Sequence, residues 1–414
     1  MVGLKNKMEN KPFCILSSGD DPYTSTGYGQ IWEHLLKRWV KLKPDWKFYH
    51  IGWQNRDREH QTKEGYYMLP IQKVEYGFDT VLPYLMRYKP DIFLTMADVG
   101  ITSGFIDGVA QAKQEGWRGR WFAINLVDTE SWEHLLWNKI LDVPDIVITA
   151  KNGEILYNKH NIKNVIYLPF GVDTKVYTPL EEKEKLKEKF KFKDRFIIGF
   201  VGKNQRRKTL PTLLKSFANF AKDKKDVNLL LHTDAESPTG WSVPCLIAKY
   251  EVEIDPELQK PNPKIIFTNP KLDVLTRQHI QPKMMNEIYN LMDVYCQAVG
   301  GEGFGLPVLE AQSAGLPTLM TNYSSAVEVI GDKELLIPIL KDAYGRPVVE
   351  IGNNGVENAI PDDTELSKLF NKLYEEWKNS QLKKRGEKAR EFALAAYDWD
   401  LIAPKWIKLF EQEG

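Results

Sequence analysis

Three cysteines, Cys14, Cys245 and Cys296, are all that this 414-residue chain contains. Odd in number and far apart, they suggest neither a disulfide framework nor a zinc site, and reduced thiols in a cytoplasmic protein are the expectation. Long apolar runs are missing too. No stretch of about 18 apolar residues occurs, so no membrane-spanning helix is expected. Residues 1–7 lead into no apolar segment of signal-peptide length. An excess of one charge is also absent, because Lys plus Arg and Asp plus Glu both number 56. That excludes a chain-wide basic footprint for nucleic acid, though not a local patch. No cluster of carboxylates and histidines suggests a metal, so none is expected. No Gly-x-Gly-x-x-Gly follows the first strand candidate, which argues against a dinucleotide-dependent oxidoreductase.

What is present is a globular composition, 43% hydrophobic and 27% charged. Short apolar runs alternate with longer amphipathic ones, the pattern of an α/β fold with parallel strands. Strands are expected at 13–17, 47–51, 91–95, 121–126, 145–149 and 165–168, with helices at 30–42 and 102–115 between them. The rhythm restarts with a fully apolar strand at 195–201. A helix at 210–221 and strands at 227–232, 264–267, 294–297, 317–321 and 335–338 follow, with a helix at 304–314. Residues 366–412 read as mostly helical. The Pro- and Gly-rich segment 168–179 and the charged run 181–194 place a domain boundary at about 172–192.

Four stretches can carry chemistry. The first is Gly300-Gly-Glu-Gly-Phe-Gly-Leu-Pro-Val-Leu-Glu310. Glycines at a strand-to-helix turn let the backbone approach an anion, and the helix N-terminus aims free N–H groups at it. Glu302 and Glu310 can accept hydrogen bonds from sugar or ribose hydroxyls. The second is Gly202-Lys-Asn-Gln-Arg-Arg-Lys-Thr209, at the carboxyl end of the 195–201 strand. Lys203, Arg206, Arg207 and Lys208 there can neutralise a diphosphate, or can form a solvated basic turn. The third is Ser25-Thr-Gly-Tyr-Gly-Gln30, where Gly27 and Gly29 permit close approach of a ligand, or make a loop without function. The fourth is Ile124-Asn-Leu-Val-Asp-Thr-Glu130, in which Asp128 either acts on a ligand or caps a helix starting near Trp132. His232-Thr-Asp234, at a strand end, either lines a donor pocket or packs in the core.

Taken together, these strings resemble the family-four retaining glycosyltransferases. The resemblance is clearest from 160 to 332. It rests on the Glu302–Glu310 string with Ala311–Asn322, on Leu168-Pro-Phe-Gly-Val-Asp173, and on the 202–209 loop. It implies the GT-B fold: α/β, two Rossmann-like domains with parallel sheets facing across a cleft. It also implies an acceptor-binding domain at 1–172, onto which a C-terminal helix at 396–414 packs, and a nucleotide-sugar-binding domain at 173–395. By the same resemblance, Glu302 contacts donor-sugar hydroxyls and Glu310 the ribose. The amides of Gly303, Phe304, Gly305 and Leu306 hold sugar and diphosphate. Lys203 and Lys208 bind the diphosphate, and Gly27 and Gly29 belong to a loop facing donor phosphate and acceptor. Two departures matter. Lys203 stands where the family has arginine, so the two-pronged phosphate grip shifts to Arg207. A histidine expected after the 121–126 strand is absent, leaving Asp128 as the catalytic candidate beside Glu302.

The reaction implied is metal-independent, retaining transfer from a UDP- or GDP-sugar to an acceptor hydroxyl, with no cofactor required. A saccharide or glycolipid acceptor is the expectation. A nucleotide-sugar-binding protein without catalysis and transfer to a modified nucleic-acid base are the alternatives. Lys37, Arg38, Lys41, Lys43 and Lys47 form a basic face, read as solvated or as a peripheral contact with anionic lipid or nucleic acid. Eight tryptophans between Trp32 and Trp137 are read mainly as core, with stacking on an acceptor open to some. The segments 233–242 and 269–283 are expected to help select the donor.

Overall fold

A computed structural model describes residues 11–24, 26–130, 143, 145–162, 164–250, 264–268, 280–352 and 356–413. Ser25, Trp132, His134, Trp137 and most of 269–283 therefore lie outside the described residues. The chain forms two compact units. One comprises Met1–Asn125, Asn138–Val147 and Ala403–Gly414, the other Leu126–Trp137 and Ile148–Ile402. The segment 168–179 thus lies inside the second unit.

The first unit is built on β1 (Cys14–Gly19), β2 (Lys47–Gly52), β3 (His60–Gln61), β4 (Tyr67–Pro70), β5 (Ile92–Met96), β6 (Arg120–Asn125) and β7 (Asp145–Ile148). They run in the order β3-β4-β2-β1-β5-β6-β7. The β1–β2, β1–β5, β2–β4 and β5–β6 pairs are parallel, while β3–β4 is antiparallel. All residues of β1 and β5 are buried, which explains why they are apolar apart from the small buried hydroxyls Ser17, Ser18 and Thr95. Helix α1 (Gly27–Leu42) buries Ile31, Trp32, Leu35, Leu36 and Trp39 at helical spacing. Trp39 packs on Trp406 and Phe410 of the carboxyl-terminal segment, and Lys43 pairs with Glu411.

The basic face is partly neutralised, because Lys37 pairs with Glu33 as well. Trp32, Trp39, Trp117 and Trp121 are fully buried core residues.

In the second unit, β9 (Phe196–Val201), β10 (Val227–His232), β11 (Ile265–Phe267), β12 (Val294–Gln297), β13 (Thr318–Thr321) and β14 (Leu336–Ile337) follow β8 (Val165–Tyr167) in the chain. The sheet order is β11-β10-β9-β12-β13-β14, with every pair parallel. The chain first steps outward from β9 and then returns to its other side. The reversal falls between β9 and β12, where Val294 aligns with Ile198 and Tyr295 with Gly199. An open parallel sheet binds ligands beyond the carboxyl ends of its strands at such a reversal.

Phe196, Ile198, Phe200, Leu213, Phe217, Leu229, Leu231 and Phe370 lie in the core beneath this sheet. The charged run after residue 181 is partly helical, at Lys183–Lys189, and not merely a linker. Its Lys187 is buried, with Nζ 2.9 Å from Asp293 Oδ2 and 2.8 Å from the Arg195 carbonyl oxygen. An antiparallel hairpin, β15 (Val349–Ile351) with β16 (Glu357–Ala359), and strands β3 and β4 are additions that the apolar pattern does not announce.

Candidate active site

The loops after β9 and β12 meet at the sheet reversal. Gly300 N donates to the Arg207 carbonyl at 2.7 Å, and Thr209 Oγ1 donates to Ala298 O at 2.7 Å. This stitching carries Arg207 and Lys208 to Glu302. The Lys208 ammonium contacts Glu302 Oε2, and Arg207 Nη1 lies 3.1 Å from the same oxygen. Arg207 Nη1 also donates to Gly301 O at 2.7 Å. Asp128 joins the cluster, its Oδ2 4.0 Å from Arg207 Nε.

Burial alone would raise the Glu302 carboxyl, but the charges of Arg207 and Lys208 and their hydrogen bonds hold it at about 2. Burial pushes Lys208 down to about 8, against the opposing pull of Glu302. The Glu302–Lys208 pair is therefore ionic at neutral pH.

The turn after Glu302 runs into a helix at Leu306–Ser313, which we call α2. Gly305 sits before it at φ 94°, a conformation that favours glycine. Gly301 and Gly303 allow close packing: a Cβ on Gly301 would fall 1.8 Å from Asp128 O, and one on Gly303 2.7 Å from Leu126 Cβ. The N–H groups of Gly303, Phe304, Gly305 and Leu306 donate no hydrogen bond among the described residues. Four successive amides at a helix start suit an anion or a polar hydroxyl. The Phe304 side chain faces away into the core, against Phe170 and Tyr397.

The other expected residues stand apart from this cluster. Glu310 receives the Tyr289 hydroxyl at 2.7 Å, and burial raises its carboxyl against the opposing pull of Tyr289 and Tyr177. His232 is buried, its Nδ1 2.7 Å from Thr268 Oγ1, and burial lowers its imidazole to about 4. Lys203 makes no ion pair or hydrogen bond among the described residues, although its neighbour Asn204 is buried and bonded to the Asp234 and Trp241 carbonyls. In the first unit, Gly27 opens α1, and Gly29 N donates to the capping Thr26 hydroxyl at 3.0 Å. Glu130 is a structural acceptor, taking Ser324 N at 3.1 Å.

Some site residues escape motif reading. Gln297 Nε2 donates to Glu302 Oε2 at 2.8 Å. Ser324 Oγ accepts from Glu302 N at 3.0 Å and donates to Glu302 O at 3.1 Å. Tyr289 orients Glu310. Within β12, polar Gln297 closing an apolar strand was the one signal available.

Among the described residues, no group of three His, Cys, Asp or Glu side chains gathers to hold a metal ion, and no helix is long and apolar enough to cross a membrane.

The chain resembles known proteins in both sequence and fold. It is 22% identical over 260 residues to the probable sucrose-phosphate synthase of Thermosipho melanesiensis, a match covering 61% of this chain and 49% of that protein. The chain thus spans about half the length of that curated relative. The solved sucrose-phosphate synthase of Thermosynechococcus elongatus superposes with a TM-score of 0.72 at 15% identity, over 97% of this chain and 99% of that one. Anabaena Alr3699/HepE, solved in complex with UDP-glucose, gives a TM-score of 0.67 at 12% identity, over 96% and 99%. These structural likenesses establish the fold, the GT-B arrangement of parallel α/β sheets. Residues 181–392, which hold the Lys208–Glu302 cluster and its glycine turn, match the family model described as Glycosyl transferases group 1, and the chain belongs to that family.

Proposed function

We propose that this chain is a retaining glycosyltransferase that moves a sugar from a nucleoside-diphosphate sugar, with UDP or GDP as the carrier, to an acceptor hydroxyl. The observation that carries this reading is the arrangement of Glu302, Lys208 and Arg207 beside four turn amides that donate to no described residue, at the sheet reversal. The UDP-glucose held by a protein of like fold supports it.

On this reading, Lys208, Arg207 and Lys203 neutralise the diphosphate, and the 303–306 amides hold its oxygens or the sugar. Glu302 Oε2 is occupied by three donors, which leaves Oε1 to accept from a sugar hydroxyl. Glu310 accepts from the ribose. The bond from the anomeric carbon to the phosphate oxygen breaks while the acceptor oxygen bonds to that carbon on the same face. The acceptor proton passes to the leaving phosphate, so no separate base is needed. Asp128 offsets the positive charge that develops on the sugar ring. The cations do the neutralising that a metal would otherwise do, and the reaction is metal-independent. We assign acceptor recognition to the first unit, with a saccharide or glycolipid as acceptor.

The test is a thermal-shift panel of UDP- and GDP-sugars without added metal, on native protein and Glu302→Ala. One donor should stabilise the native protein selectively and the variant much less. Product from that donor should keep the anomeric configuration by NMR. An inverted product would overturn retention. Binding without turnover on any acceptor would favour a binding protein that lacks catalysis.

A further inference from the structure

We propose that Gln297 is a positioning residue that keeps the Glu302 carboxylate aimed at the donor sugar once the diphosphate has drawn Arg207 and Lys208 to itself, and that it thereby sets discrimination among sugars. The proposal rests on the nucleotide-sugar reading above.

Three donors converge on Glu302 Oε2: Lys208 Nζ, Arg207 Nη1 at 3.1 Å and Gln297 Nε2 at 2.8 Å. Two of them are cations with a competing ligand, because a diphosphate offers them more charge than one carboxylate does. Gln297 is neutral and has no such competitor. It is also rigidly held. Its side chain is fully buried at the end of β12, and the Tyr295 hydroxyl lies 2.7 Å from its Oε1.

The ionised Glu302 carboxylate can only accept. The amide nitrogen must therefore face Glu302 and the amide oxygen must face Tyr295. Tyr295 is itself fully buried, and its hydroxyl lies 3.1 Å from Val201 O. A chain of contacts thus runs from the β9 backbone through Tyr295 and Gln297 to one oxygen of Glu302. It pins that oxygen and leaves Oε1 pointing elsewhere. A carboxylate fixed in this way favours a hydroxyl in one orientation over its epimer, because the wrong epimer leaves a polar group unpaired.

Native protein, Gln297→Leu and Gln297→Glu are titrated with UDP, UDP-glucose and UDP-galactose, and with GDP, GDP-mannose and GDP-glucose. Gln297→Leu keeps the volume and lets the single Tyr295 hydroxyl proton turn to Val201 O, 3.1 Å away. It should bind the bare diphosphate within about twofold of native and lose about tenfold on the preferred nucleotide sugar, with a smaller gap between epimers. Gln297→Glu adds a rescue. Protonated, its carboxyl group can donate to Glu302 and accept from Tyr295 as the amide does. Ionised, it repels Glu302. Its sugar-specific affinity should recover as pH falls from 8 to 6, a recovery that Gln297→Leu does not show. Equal loss on bare diphosphate and nucleotide sugar, or no loss on either, would overturn the positioning role. Failure of the native protein to bind any of the six ligands would sink the nucleotide-sugar reading itself, and this proposal with it.

Discussion

Lys208 and Glu302 form an ion pair whose side chains are 7% and 12% exposed, with Arg207 3.1 Å from the same carboxylate oxygen. A buried pair loses most when only one partner is removed, because the other charge is then stranded. Lys208→Met should lower the unfolding free energy by about 3–5 kcal/mol. Lys208→Met combined with Glu302→Leu should cost clearly less than the sum of the singles, as read by urea denaturation. Simple additivity would mean that the two groups do not stabilise each other.

The same pair sets two pH windows. The folded value of Glu302, about 2, lies below its ordinary 4.5. Its contribution to stability is complete above pH 4.5 and is lost as pH falls toward 2. Lys208 is depressed to about 8 from 10.5, so the folded state binds fewer protons between those values. Stability should therefore rise with pH across that window. Function moves the other way. Above about pH 8 the ammonium discharges, and kcat/KM for the donor should fall. Lys208→Arg, which stays charged, should push that alkaline limb upward. An unmoved limb would assign it to another group.

Gly301 leaves no room for a side chain, since an added Cβ would sit 1.8 Å from the Asp128 carbonyl oxygen. That neighbour is backbone and cannot swing aside. Gly301→Ala should displace Asp128 from the Arg207 cluster and cut turnover at least tenfold, while circular dichroism still reports a folded chain. Native-like turnover would show that the Asp128–Gly301 packing is dispensable.

The Tyr289 hydroxyl, 2.7 Å from Glu310 Oε2, opposes the rise that burial imposes on that carboxyl. Tyr289→Phe should let Glu310 protonate at higher pH. Nucleotide affinity, measured by calorimetry as pH is lowered, should then begin to fall at a higher pH in Tyr289→Phe than in native protein. Parallel curves would remove Tyr289 from the account of Glu310.

His232 is buried and lowered to about 4. Because its folded value lies below its ordinary 6.5, the unfolded state binds more protons between pH 4 and 6.5, and stability from this group is lost as pH falls through that range. Its imidazole NMR signals should not titrate between pH 5 and 8. A titration there would place His232 in contact with solvent or ligand.

The chain order of residues already specified much of this protein. Strands β9, β10 and β12 are near-continuous apolar runs bounded by turn signals, and the helix at Leu210–Ala221 shows its period plainly. Glu302, Arg207 and Lys208 were readable as candidates because each follows such a strand, where an α/β sheet presents its ligand loops. Local pattern could not reveal what depends on partners far along the chain. Lys208 and Glu302 are 94 residues apart and meet because β12 lies beside β9 and not beyond β11. Gln297 reads as one more strand residue until that neighbour is in place. The helix at Lys183–Lys189 reads as a solvated charged run until Asp293 meets Lys187 in the interior. The β15–β16 hairpin is too short and polar to show a period. Periodicity records which face of an element is buried. The sheet crossover records which elements face one another, and it was this that turned scattered charges into a site.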